Sequence, residues 1–307
     1  MHDEMLSLIP AVGVRVSKGI TAFRKIYVPG ALHTACAAVF EEIRMTAMMR
    51  EEGEPAEGLF LTELSGSGKT TVAKRYIAKV DALYGAAKNK GPARIITVSE
   101  QGTSSSFWSS ILEFLGDPYY ATGSEQNLKK RVKKAIRREG IQLLFIDELN
   151  HTVEKSQANQ ILNAIKNMIS EGLVSIVAMG SSEELDKLSR NDAFQGRMVE
   201  CPGLPPYTWK HDAQEWIELC KGLDERMVAE KIVRAPSDLG TEVLARALLL
   251  ICEGLIGRLN WLVRTALRST LRRDDDSISL GDLIAAGDAL LLKFPREGAV
   301  NPLGSLR

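Results

Sequence analysis

Lys69, with Thr70 and Thr71 directly after it, closes a turn of small residues, Ser65-Gly66-Ser67-Gly68. A short apolar run, Leu59 to Leu61, leads into the turn, and a helical pattern from Val72 to Val80 leads out. Strand, small-residue turn, Lys-Thr and helix form the layout of a phosphate-binding P-loop. Small residues let successive backbone N–H groups curl around an anion, and the new helix adds its positive N-terminus. Lys69 would neutralise β- and γ-phosphates, and Thr70 would ligate Mg²⁺. The pattern G-x-x-x-x-G-K-[ST] asks for glycine where this chain has Glu63. That carboxylate must point away from the nucleotide or weaken its binding.

A second pair of groups answers the first. Ile141-Gln142-Leu143-Leu144-Phe145-Ile146 is nearly all apolar and ends on Asp147-Glu148. Such a run suits a central parallel strand covered on both faces, and it delivers its carboxylates at the end where open α/β sheets bind ligands. Asp147 would join the Mg²⁺ shell, and Glu148 would polarise the water that attacks the γ-phosphate.

The remaining elements position these groups. Arg94 to Val98 reads as a β-branched strand, and Leu173 to Met179 as another, tipped by Ser181 and Ser182. Those serines could bond the water or phosphate, or cap the next helix. Arg190 and Arg197 flank the stretch before a short strand, Met198 to Cys201. Beyond Pro202-Gly203-Leu204-Pro205-Pro206 the pattern is almost wholly helical. The expected division is an N-terminal extension (1–25, an irregular lead-in or a docking arm), an α/β nucleotide-binding domain (26–203), a helical lid (204–292) and a flexible tail (293–307). Val28 and Pro29, just upstream of the domain, are candidates for the slot against an adenine base. Ser124 looks like the cap of a helix whose residues 129–138 hold Lys129, Lys130, Arg131, Lys133, Lys134, Arg137 and Arg138. That face is either simply solvated or a phosphate-tracking surface.

Composition sets limits. Acidic and basic residues balance at 39 each across 307 residues, so contact with nucleic acid must come from local clustering. Four scattered cysteines without C-x-x-C spacing argue against a zinc site or disulfide framework and favour a reducing compartment. No apolar run approaches bilayer length, so no membrane partner and a cytoplasmic location are expected.

Taken with Ile26-Tyr27-Val28-Pro29, Glu63 to Thr70 and Leu144 to Glu148, the stretch Glu253-Gly254-Leu255-Ile256-Gly257-Arg258-Leu259 carries a family resemblance. The chain resembles the TniB/TnsC group of AAA+ ATPases, which regulate target choice in DNA transposition, including CRISPR-associated transposons. The resemblance implies an α/β P-loop NTPase with a parallel sheet flanked by helices and an all-helical lid, using ATP and Mg²⁺. It places a strand-tip sensor at Ser181, a lid arginine at Arg258 and a finger reaching a neighbour's site at Arg197, with Arg190 as runner-up. It also implies a homo-oligomer, as a ring or helical filament on duplex DNA, with contacts at Thr103, Ser104, Lys129, Lys130 and Lys133. A transposase and a target-selection protein are the implied partners. Two other readings stand beside it: a P-loop switch or helicase-loader-like module acting through proteins without gripping DNA, and a nucleotide binder that Glu63 has made slow to hydrolyse.

Overall fold

The computed structural model describes residues 2–51, 53–98, 103–149, 155–180 and 196–306. The chain divides into two compact units, one spanning Leu32–Pro205 and the other combining Met1–Ala31 with Pro206–Arg307.

In the first unit, α2 (Ala31–Met49) precedes β1 (Gly58–Leu61), α3 (Lys69–Leu83) and β2 (Ala93–Thr97). Helices α4 (Ser104–Phe114) and α5 (Glu125–Arg138) lead to β3 (Leu143–Asp147), α6 (Lys155–Ser170) and β4 (Ser175–Met179). The four strands are parallel in the order β1-β4-β3-β2. Residues 197–199 extend the sheet beyond β1: Gly58 N donates to Arg197 O at 2.9 Å, and Val199 N to Gly58 O at 2.8 Å. All five residues of β3 and of β4 are buried, because these central strands are covered on both faces. One face packs Phe107, Trp108, Val132 and Ile165, and the other Phe40, Val72, Tyr76 and Ile77.

The second unit contains α1 (His2–Phe23), α7 (Trp209–Ala229), α8 (Glu242–Cys252), α9 (Ile256–Arg273), α10 (Leu280–Lys293) and a final 3₁₀ turn, Pro302–Leu306. Trp216 is fully buried at its centre and donates its indole N–H to Ala245 O at 2.9 Å. Asp224, buried at the same level, accepts the N–H groups of Ser237 (2.9 Å) and Leu239 (3.3 Å), ordering the connection into α8.

Two expectations give way here. The N-terminal stretch is a helix rather than an irregular lead-in. Ile20 and Phe23 enter the helical core, and the Arg15 guanidinium donates to Leu271 O and Arg272 O at the end of α9. The tail is also ordered: Leu303 is completely buried, and the Asn301 amide bonds Ile284 O and Asp288 at 2.9 and 2.8 Å. Neither stretch is strongly periodic, yet a few apolar anchors suffice to dock each on a preformed core.

Candidate functional site: the P-loop and its carboxylates

The loop between β1 and α3 has the backbone that an anion cradle needs. Gly66 and Gly68 adopt φ of +89° and +105°, a region costly for residues with a Cβ. Gly68 is the N-cap of α3 and offers no side-chain hydrogen bond, so the first N–H groups of the helix are left for another acceptor. Ser67 Oγ is buried and has no hydrogen-bond partner. Lys69 is buried as well, and its Nζ donates back to Glu63 O (2.5 Å) and Leu64 O (3.0 Å) across the loop. Burial holds the ammonium below the usual lysine range, while Asp147 and Glu63 oppose that shift.

Thr70 Oγ1 donates to Asp147 Oδ2 at 2.8 Å, so the hydroxyl at the start of α3 and the carboxylate at the end of β3 meet. The other carboxylate oxygen of Asp147 accepts the backbone N–H of Glu148 at 3.0 Å. Glu148 has φ of +61°, in the left-handed region that side chains avoid, and its side chain is exposed. Backbone strain at the end of a central strand, beside a phosphate loop, is a mark of a functional position.

Glu63 resolves its own anomaly. A Cβ placed on Gly203 would lie 2.3 Å from Glu63 Oε1, so the carboxylate packs against Gly203, leaving only the carbonyl of Glu63 for Lys69. Beside it, the thiols of Cys36 and Cys201 share a hydrogen bond at 3.4 Å, and Cys36 also donates to Gly203 O at 3.4 Å. That shared bond pushes Cys36 up and draws Cys201 down to about 7. His33, also buried, presses its Nε2 to 2.8 Å from where a Gly68 Cβ would stand. Sequence reasoning missed both contacts, because α2 reaches them only through the fold.

The other predicted residues fall out as follows. Ser181 and Arg190 lie outside the described residues. Arg197 is half-buried beside β1. In the helical unit, Val28 packs on Gly222. There too Arg258 is ion-paired with Glu253 and lies 5.0 Å over the Phe294 ring. Gly254 of the same motif has φ of +67°, and a Cβ there would lie 1.9 Å from Tyr207 O, so glycine alone fits. On the α/β unit, Thr103 caps α4 through Ser106 N at 3.1 Å, and Ser104 Oγ donates to Glu125 at 2.6 Å. Lys129 bonds Glu171 Oε1 at 2.7 Å and Lys133 pairs with the other oxygen of Glu171, whereas Lys130 is exposed.

A parallel sheet ordered β1-β4-β3-β2, a P-loop after β1 and an Asp-Glu pair after β3 define an AAA+ P-loop NTPase carrying a helical region at its C-terminal end. The chain belongs to the TniB family: the model described as "Bacterial TniB protein" matches residues 31–208, more than half of the sequence. Among solved structures it is similar to the Aeropyrum pernix ORC1 protein in complex with DNA, at 21% identity and TM-score 0.63, covering 88% of this chain and 69% of that one. Cdc6p from Pyrobaculum aerophilum follows at 15% and 0.60, covering 88% and 70%. The Aeropyrum pernix ORC2 protein, in its ADPNP–ADP complexes, gives 14% and 0.60, covering 91% and 74%. No curated protein matches the sequence. Among the described residues no helix is long and apolar enough to cross a membrane.

The residues present fit ATP and Mg²⁺. An orphaned Ser67 hydroxyl, uncapped N–H groups and a buried lysine supply donors for phosphate, and the Thr70–Asp147 pair supplies hard oxygens for the metal.

Proposed function

We propose that this protein is an ATP-dependent, DNA-binding regulator of transposition that assembles on duplex DNA and links target choice to a transposase. The observation that carries the reading is the 2.8 Å contact of Thr70 with Asp147, beside a loop of unused donors, in a chain of the TniB family. Lys69 and the loop N–H groups would hold the β- and γ-phosphates, aided by Ser65, Ser67 and Thr71. Thr70 and Asp147 would hold Mg²⁺, which when bound draws charge off those phosphates. Glu148, exposed at the strand end, would take the proton of the attacking water. Ser181 as sensor, Arg258 as lid arginine and Arg197 (or Arg190) as a finger given to a neighbouring subunit complete the site. A finger in trans makes hydrolysis depend on assembly.

Electron microscopy of the pure protein with duplex DNA, with and without a slowly hydrolysed ATP analogue, tests this. Nucleotide-dependent rings or filaments on the DNA are expected. Particles that assemble with nucleotide but ignore DNA would overturn it. One observation favours that second reading, a switch acting through protein partners: Glu171 neutralises two of the lysines proposed to touch DNA.

A further inference from the structure

An open groove of about 460 Å³ runs between α1 and α9 of the helical unit. Its α1 wall carries Gly13, Ser17 and Thr21, small residues at successive helical turns, and ends on Arg24. Its α9 wall carries Arg268 and Arg272. Arg264, one turn before Arg268, continues the same stripe, so three guanidiniums recur at i, i+4 and i+8.

Like charges at this spacing repel, and helices commonly interleave acids to relieve them. None stands here. Among the described residues Arg24, Arg264, Arg268 and Arg272 have no carboxylate partner. The nearby aspartates are engaged elsewhere: Asp274 with Arg15 and Arg234, Asp276 with Arg234, and Asp275 and Asp282 with Arg273. Burial, then the charges of Arg24 and Arg268, hold Arg264 below the usual guanidinium range. Arg24, Arg268 and Arg272 therefore line one groove, with Arg264 one turn further along the same stripe, and none of the four has a carboxylate partner among the described residues.

We propose that this groove is a phosphate-binding site of the helical unit, occupied by the backbone of duplex DNA. The inference rests on the DNA-binding reading above and adds a contact surface to it. Guanidiniums grip phosphate oxygens in bidentate fashion, and an evenly spaced row of them suits a polymer of evenly spaced charges. The hydroxyls of Ser17 and Thr21 are the donor type that supplements arginine at a DNA backbone. An acidic protein segment would also answer the charge, and Val12, Val16 and Ile20 line the same wall, but hydroxyls of Ser17 and Thr21 beside a row of guanidiniums are the donor set that a phosphate backbone takes.

The test measures binding of a fluorescent duplex to the full-length protein with ATP and Mg²⁺ across a salt series, alongside poly-glutamate as a protein-like polyanion. Two variants are compared with wild type: Arg264→Gln/Arg268→Gln, and Gly13→Glu. The latter puts a carboxylate into the groove at a position where an added Cβ meets nothing within 4 Å, so the fold is retained. Each phosphate contact contributes about 0.9 to the slope of log K against log salt, so the double variant is expected to flatten it by ~2. Gly13→Glu should weaken DNA binding in the same direction. Wild-type slopes in both variants would overturn the groove and leave the DNA-binding reading standing on α5. A wild-type protein that ignores DNA at every salt would overturn both. Variants that lose poly-glutamate while keeping DNA would overturn DNA as the occupant.

Discussion

Helices α5 and α9 each present a row of cations, and the protein treats the two rows in opposite ways. On α5, Glu171 takes both Lys129 and Lys133, Asp117 takes Arg131, and Glu139 takes Arg138. On α9, Arg264, Arg268 and Arg272 form a stripe with no acidic partner among the described residues, and Arg268 and Arg272 line a groove. The row that stands out in the sequence is thus largely neutralised, and the inconspicuous one is not. The same contrast holds at the P-loop. Both oxygens of Asp147 are bonded, to Thr70 and to the Glu148 N–H, whereas the Glu148 carboxylate is exposed. On the two helices, pairing separates cations engaged within the fold from cations left for an anionic ligand.

The sharpest way to break this distinction is at Glu148. Replacing it with Gln keeps size and removes the proton acceptor, and ATP turnover should fall about 10²–10⁴-fold while nucleotide binding persists. Turnover within a few-fold of wild type would show that an exposed carboxylate on a strained backbone here carries no chemistry.

Arg44 tests the opposite class. Only 3% exposed, it bonds Glu41, Tyr76, Tyr84 and Gln142, tying α2 to α3. Arg44→Met should lower unfolding stability by about 2 kcal/mol, since it takes a hydrogen-bond partner from the buried Tyr76 hydroxyl and removes the pair with Glu41. Denaturant titration reads this directly, and a loss below ~1 kcal/mol would mean that the network is dispensable.

How far these sites could be read beforehand follows from how local they are. The P-loop and the β3 carboxylates were legible because small residues, Lys-Thr and an apolar run are contiguous in the chain. Helix α1 was not, since Gly13 and Gly19 interrupt its pattern. A Cβ at Gly19 would lie 2.5 Å from Leu271, a reason for glycine that exists only after α9 has docked. The His33–Gly68 and Cys36–Cys201 contacts, and the direction of the Glu63 carboxylate, likewise depend on chain segments far apart in sequence. Charge was the least legible property of all. The lysines of α5 look free until Glu171, 42 residues beyond Lys129, folds against them.

Glu171 can convert one row into the other. Glu171→Gln would release Lys129 and Lys133, and duplex binding should tighten several-fold at low salt with a slope steeper by up to ~2. Stability should change by less than ~1 kcal/mol, because the pairs are solvent-exposed. Unchanged DNA affinity would mean that the freed lysines do not reach phosphate, and it would weaken the case for α5 as a contact surface.

The smallest effect has the most telling sign. Removing a partnered arginine costs stability, but Arg268→Gln takes away a charge that repels Arg264 and Arg272 at i−4 and i+4. Without DNA, this variant should be as stable as wild type or more so, by about 0.3–0.5 kcal/mol, and the gain should shrink as salt screens the repulsion. A clear loss of stability would mean that Arg268 is held by a partner after all, and α9 would then join α5 as a structural row. A gain would mean that the stripe is maintained against the interest of the folded monomer, as expected of cations kept for an anionic ligand.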